Sequence, residues 1–117
     1  MPEFEVVFYE KEDGSCPVEE FLQGLEASME AKMLRTIELL ENNGCNLREP
    51  HSKALGDGIF ELRAKVSSDI TRILFFFVKG RQIVLTNGFV KKTDKTPQAE
   101  IDRAQRFRAE YLSREEG

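Results

Sequence analysis

Residues 58–90, GIFELRAKVSSDITRILFFFVKGRQIVLTNGFV, decide the fold. From Phe60 to Val66 the apolar Phe60, Leu62, Ala64 and Val66 alternate with Glu61, Arg63 and Lys65, the period of a strand with one buried and one polar face. Ser67-Ser68 is a short turn, and Asp69 to Val78 is the most apolar segment of the chain, which predicts a central strand. Gly80-Arg81 offers the glycine-first pair of a two-residue type II′ turn, and Gln82 to Val90 reads as the strand that returns.

Upstream, Phe4 to Tyr9 is rich in strand formers and ends in the charged turn Glu10 to Ser15. Pro17 suits a first helical turn, with Glu19 and Glu20 at the positive end of the helix dipole and Val18, Phe21, Leu22 and Leu25 at helical spacing. After a bend over 24–28, Met29, Met33, Ile37 and Leu40 make a second helical stripe that stops at Gly44, a residue suited to positive φ. Asn46 to Ser52 is a polar connection. Downstream, Thr96-Pro97 reads as cap and proline before a last helix with Ile101, Ala104, Phe107 and Tyr111 on its buried stripe. The expected order is β-α-α-β-β-β-α. This is an α+β chain in which a small antiparallel sheet carries an N-terminal helix hairpin and a C-terminal helix, all within one domain spanning 1–117.

A chain of 117 residues can bury a core without disulfides or metals. No apolar run is long enough to cross a bilayer and the N-terminus has no basic, apolar leader, so a cytoplasmic location and no membrane partner are expected. Cys16 and Cys45 are read as reduced structural thiols, Met29 and Met33 as core, and His51 as an exposed loop residue. A single histidine removes any two-histidine ribonuclease scheme, and neither a metal nor another cofactor is expected.

The net charge of −4 hides an asymmetry. Residues 1–50 hold 4 basic and 12 acidic side chains, residues 51–95 hold 9 and 4, and residues 96–117 hold 4 and 5. Such a division suggests a polyanion-facing surface on one side of the molecule, against a salt-bridged and merely solvated one. Register decides where the cations fall. Two-residue loops at Ser67-Ser68 and Gly80-Arg81 would set Arg63 across from Arg72, Arg72 across from Phe89, and Lys65, Ile70 and Lys91 in the next row. The opposite face would present Leu62, Ala64, Ile73, Phe75, Phe77, Val84 and Val90 to the helix hairpin.

Two arginines abreast repel each other unless an anion lies between them. Either Glu61 supplies it from within, or the anion is a ligand. Guanidinium groups at a phosphodiester, an aromatic ring to hold an unstacked base and the RNA's own 2′-hydroxyl as nucleophile would together permit metal-free cleavage of single-stranded RNA. On this reading Arg63, Arg72 and Lys91 are catalytic while Lys65 and Phe89 bind RNA. The proton-transfer group stays open among Glu61, a lysine and Tyr111, which is also a plain core candidate.

Ser52-Lys53-Ala54-Leu55, Gly58-Ile59-Phe60-Glu61-Leu62-Arg63, Arg72-Ile73, Asn87-Gly88-Phe89-Val90-Lys91-Lys92-Thr93 and Lys95-Thr96-Pro97 follow one another in an order that resembles the HigB-like, phage-derived branch of the RelE/ParE toxin superfamily. The likeness runs from Phe4 to Tyr111. It implies a RelE-like fold and the toxin of a type II toxin–antitoxin pair, an endoribonuclease that cuts messenger RNA on the ribosome and is silenced by a cognate antitoxin. It also implies that Lys53 and Lys92 join Arg63, Arg72 and Lys91 at the positions that relatives use for RNA. Two other readings stay open: a ParE-like inhibitor of DNA gyrase without nuclease activity, and a non-catalytic RNA-binding module.

Overall fold

A computed structural model describes residues 3–79, 81–91 and 95–116. The order is β1 (Glu5–Phe8), α1 (Pro17–Gln23), α2 (Ala27–Asn43), a 3-10 turn (Gly44–Asn46), β2 (Ser52–Gly56), β3 (Ile59–Val66), β4 (Asp69–Val78), β5 (Gln82–Lys91) and α3 (Gln98–Glu116). The strands form one mixed sheet in the order β1-β5-β4-β3-β2. Three pairings are antiparallel, whereas β1 runs parallel to β5, with Glu5 opposite Gln82 and Phe8 opposite Leu85. This corrects the wholly antiparallel sheet expected from the sequence, because the α1–α2 hairpin returns the chain across one face instead of reversing it at an edge.

A second correction adds β2 to the expected order. Gly56-Asp57-Gly58 does more than interrupt the pattern: Gly56 pairs with Ile59, and Asp57 and Gly58 take φ of 58° and 80°. Two positive φ values between paired residues are the signature of the type I′ hairpin, for which Asp-Gly is a preferred pair.

The sheet is covered on both faces. Leu62, Ala64, Ile73 and Phe75 pack with Val18, Leu22, Met29, Met33, Ile37 and Leu40 of the helix hairpin. Ile59, Leu74, Phe76 and Val84 pack on the other face with Tyr9 and with Ala104, Phe107 and Tyr111 of α3. Arg72 through Phe76 are all buried, as a central strand between two helical layers requires. Gly88 lies under α1, where a Cβ would come within 2.4 Å of the Phe21 ring. Its lack of a side chain lets that ring rest on the strand.

Asp69 faces Val66 and Arg63 faces Arg72, so the Ser67-Ser68 turn is as expected. The next turn is not. Val78, rather than Lys79, faces Gln82, and Gly80 lies outside the described residues. The pairing then shifts between Leu74 and Phe75, with Thr86 as the extra residue on β5, and this bulge restores Arg72 opposite Phe89 and Ile70 opposite Lys91. The one-residue offset before the bulge turns Val84 to the α3 face, against the expectation that it packs on the hairpin.

Helix α3 is pinned at both ends. Pro97 takes the cap position expected of Thr96, its carbonyl accepting from the N–H groups of Glu100 and Ile101 at 3.1 and 3.3 Å. Asn87 donates to the Glu100 carboxylate at 3.0 Å. Near the other end the Tyr9 hydroxyl donates to Glu110, Arg114 bonds the same carboxylate at 2.5 Å, and the Tyr9 ring stacks on Phe107 with centroids 4.6 Å apart. Burial, aided by the Glu110 carboxylate, pushes the Tyr9 hydroxyl up to about 12, and the same bond holds Glu110 below the usual carboxylate range. No helix among the described residues is long and apolar enough to cross a membrane.

Candidate nucleic-acid interface

Arg63, Arg72 and Phe89 stand in one row across β3, β4 and β5, and Lys65, Ile70 and Lys91 in the next. The backbone therefore has the juxtaposition read from the sequence. The side chains divide it. Arg72 is 0 % exposed and donates from Nη1 to the Thr96 hydroxyl at 3.4 Å. Thr96 in turn donates to Oε2 of Glu61, itself 1 % exposed, while Nε of Arg63 lies 3.5 Å from Oε1 of the same carboxylate. One buried carboxylate thus takes charge from Arg63 directly and is joined to Arg72 through a hydroxyl.

Arg72 cannot reach a substrate in this arrangement, since it is fully buried with Thr96 against its guanidinium. Arg63 can, because a fifth of its side chain remains exposed. Lys53 and Lys65 are exposed, and Phe89 is half-buried against the α3 core. The side chain of Lys91 and the whole of Lys92 lie outside the described residues. Tyr111 packs edge-on against Phe76 and hydrogen-bonds Gln82 at 3.5 Å. That position is seven residues along β5 from Phe89, about 23 Å at strand rise, so Tyr111 is not at this row.

The open part of the site lies at the sheet edge. A cleft of about 400 Å³ is lined by Lys32, Pro50, His51, Arg63, Lys65 and Ile70. Sequence reasoning missed two of these. His51 stands immediately before β2, and its carbonyl accepts the Arg63 N–H at 2.8 Å, which extends the arginine row by one position to His51, Arg63, Arg72 and Phe89. Asp57-Gly58 is the signal that could have found it, because a hairpin turn there draws the preceding residues alongside β3. Lys32 reaches the cleft from α2, and nothing local in the sequence marks it.

Three cations and one imidazole around an open cleft, with a carboxylate kept behind them, suit an anionic ligand. Arg63 is ion-paired with Glu61, so the internal carboxylate is one of the two anions that the arginine row called for, and a fifth of the Arg63 side chain still faces the cleft. Imidazole can both accept and donate a proton, and His51 lines the same cleft as Arg63.

The family model described as Phage derived protein Gp49-like (DUF891) matches residues 20–109, from α1 through most of α3. No curated protein matches the sequence.

Proposed function

Because the chain belongs to the Gp49-like phage-derived family, a toxin-like family, we propose that it is the toxin of a toxin–antitoxin pair and acts as a metal-independent endoribonuclease on messenger RNA at the ribosome. The observation that carries this reading is the edge cleft, where Lys32, Arg63 and Lys65 converge beside His51. A phosphodiester seated there would have its non-bridging oxygens neutralised by the guanidinium and ammonium groups. His51 takes the proton of the neighbouring 2′-hydroxyl, whose oxygen attacks the phosphorus. The 5′ oxygen departs with a proton from Lys65, leaving a 2′,3′-cyclic phosphate and a 5′-hydroxyl.

In this scheme Arg63 touches substrate and Arg72 is a positioning residue, acting through Thr96 and Glu61 to fix the Arg63 guanidinium. Lys53 and Phe89 lie outside the cleft lining and are kept in the proposal only as the RNA-binding residues read from the sequence. The cognate antitoxin is the expected protein partner.

The test is induction of the chain without antitoxin, followed by primer extension on translated messages. Cuts within reading frames, lost in His51→Gln and Arg63→Ala, are expected. Intact messages beside arrested replication would replace this reading with gyrase inhibition. The burial of Arg72 favours one further reading, a module that binds RNA without cutting it. Retained ribosome association with no cleavage by the unaltered protein would establish that one.

A further inference from the structure

β2 ends the sheet on the side away from β1, and Lys53, Ala54 and Gly56 along it are exposed. The bond from the Arg63 N–H to the His51 carbonyl fixes the alternation of the β2–β3 ladder. Residue 53, like 51, turns its backbone toward β3, and Ala54 therefore turns both its N–H and its carbonyl outward. Ser52 also faces outward but has given its N–H to the Arg48 carbonyl at 3.1 Å. Beside this edge lies a cavity of about 200 Å³ whose lining includes the apolar Leu47, Phe60 and Phe77 and the charged Arg48, Glu49 and Lys53. At its start the strand runs into the cationic cleft of Lys32, His51, Arg63 and Lys65.

We infer that the outer edge of β2 is a docking site for an extended, acidic segment of a partner protein, which adds a strand to the sheet and carries its acidic side chains on toward the cleft. Strand addition supplies main-chain hydrogen bonds, with alternate side chains giving specificity. Here apolar side chains would enter the cavity, and acidic ones would meet Arg48 and Lys53. Two copies of this chain are poorly suited to pair through the same edge, because their Lys53 and Arg48 side chains would be brought together. That the partner is an antitoxin rests on the toxin reading; the pairing itself does not.

The probe is a seven-residue synthetic peptide alternating glutamate and valine, with a lysine–valine counterpart as control, added to the full chain and followed by amide hydrogen exchange. The acidic peptide should slow exchange at the Ala54 amide at least tenfold, and the basic peptide should leave it unchanged. Ala54→Pro removes the outward N–H without removing a bond to β3, a position where an edge strand tolerates proline, and should weaken binding at least tenfold. Protection confined to β1, no protection at Ala54, or undiminished binding by Ala54→Pro would overturn the inference. If that variant fails to fold, the Ala54 exchange rate in the unaltered chain still decides. Absence of growth arrest would remove the toxin reading and leave the strand pairing standing.

Discussion

Replacing Glu61 with Gln tests whether the arginine row is a structural cluster with one exposed corner. The substitution keeps the shape and an acceptor for Thr96 but removes the carboxylate charge that faces Arg63. Breaking a buried ion pair by deleting one partner costs about 3–5 kcal/mol. The lower end applies, because the Arg63 side chain is 20 % exposed and can turn to water, whereas Arg72 at 0 % cannot. A loss of about 3 kcal/mol, at a urea slope of roughly 1.5 kcal/mol per molar, lowers the unfolding midpoint by about 2 M. Urea titration followed by far-ultraviolet circular dichroism measures it. Thr96→Val in the same background should add less than it costs alone, because both act on one chain of bonds. A midpoint shift under 0.5 M on the same slope, or full additivity with Thr96→Val, would refute the reasoning and return Glu61 to the list of proton-transfer groups.

Gly88→Ala should destabilise by about 1–3 kcal/mol, since the new Cβ meets the Phe21 ring at 2.4 Å, and Gly88→Ala combined with Phe21→Leu should recover part of the loss in the same titration. Ser67, at φ 56° in the β3–β4 turn, should gain about 0.5–1 kcal/mol on replacement by glycine, visible as a higher melting temperature; no gain would mean the turn is not strained there. The Tyr9 hydroxyl, raised from 10.0 to about 12, favours the folded state while protonated. Its contribution is therefore complete below pH 10 and is lost as pH rises through about 12. Tyr9→Phe should lack this dependence, so the stability difference between the two proteins should narrow across that window in urea titrations at fixed pH; a constant difference would contradict the assignment.

Much of the fold was legible because its decisive signals are local. Alternation over Phe60 to Val66 and the length of the Asp69 to Val78 run identify β3 and β4 without reference to anything distant. β2 was missed although Asp57-Gly58 announces it, since Ser52 to Gly56 has no alternating pattern of its own and is strand only by pairing with β3. The parallel β1–β5 contact has no local signature at all. The expected Arg72–Phe89 pairing rests on a β4–β5 turn counted one residue too short, since Val78 rather than Lys79 faces Gln82. A bulge at Thr86 cancels that error for positions beyond it and leaves it uncorrected at Val84. For the site, register could bring Arg63 and Arg72 together, but not say that Thr96, 24 residues on from Arg72, would close over it.

The residues that make the sequence resemble a toxin family are largely ones that build the sheet and seat α3. Gly88 makes room for Phe21, Asn87 holds Glu100, Thr96 caps the carboxylate of Glu61, and Arg72 is sealed beneath. Such a motif is a reliable guide to fold and a poor guide to which side chains touch substrate. Chemistry on an RNA phosphate requires cations that reach solvent and a group that trades protons. Under the nuclease proposal the residues placed to meet those conditions are Lys32, His51, Arg63 and Lys65 at the edge, since Arg72 at the centre of the row is fully buried. Arg63 belongs to both sets. One end of its neighbourhood is fixed by the buried Glu61 and the other opens to the cleft, so the interior can orient the one guanidinium that the surface would use.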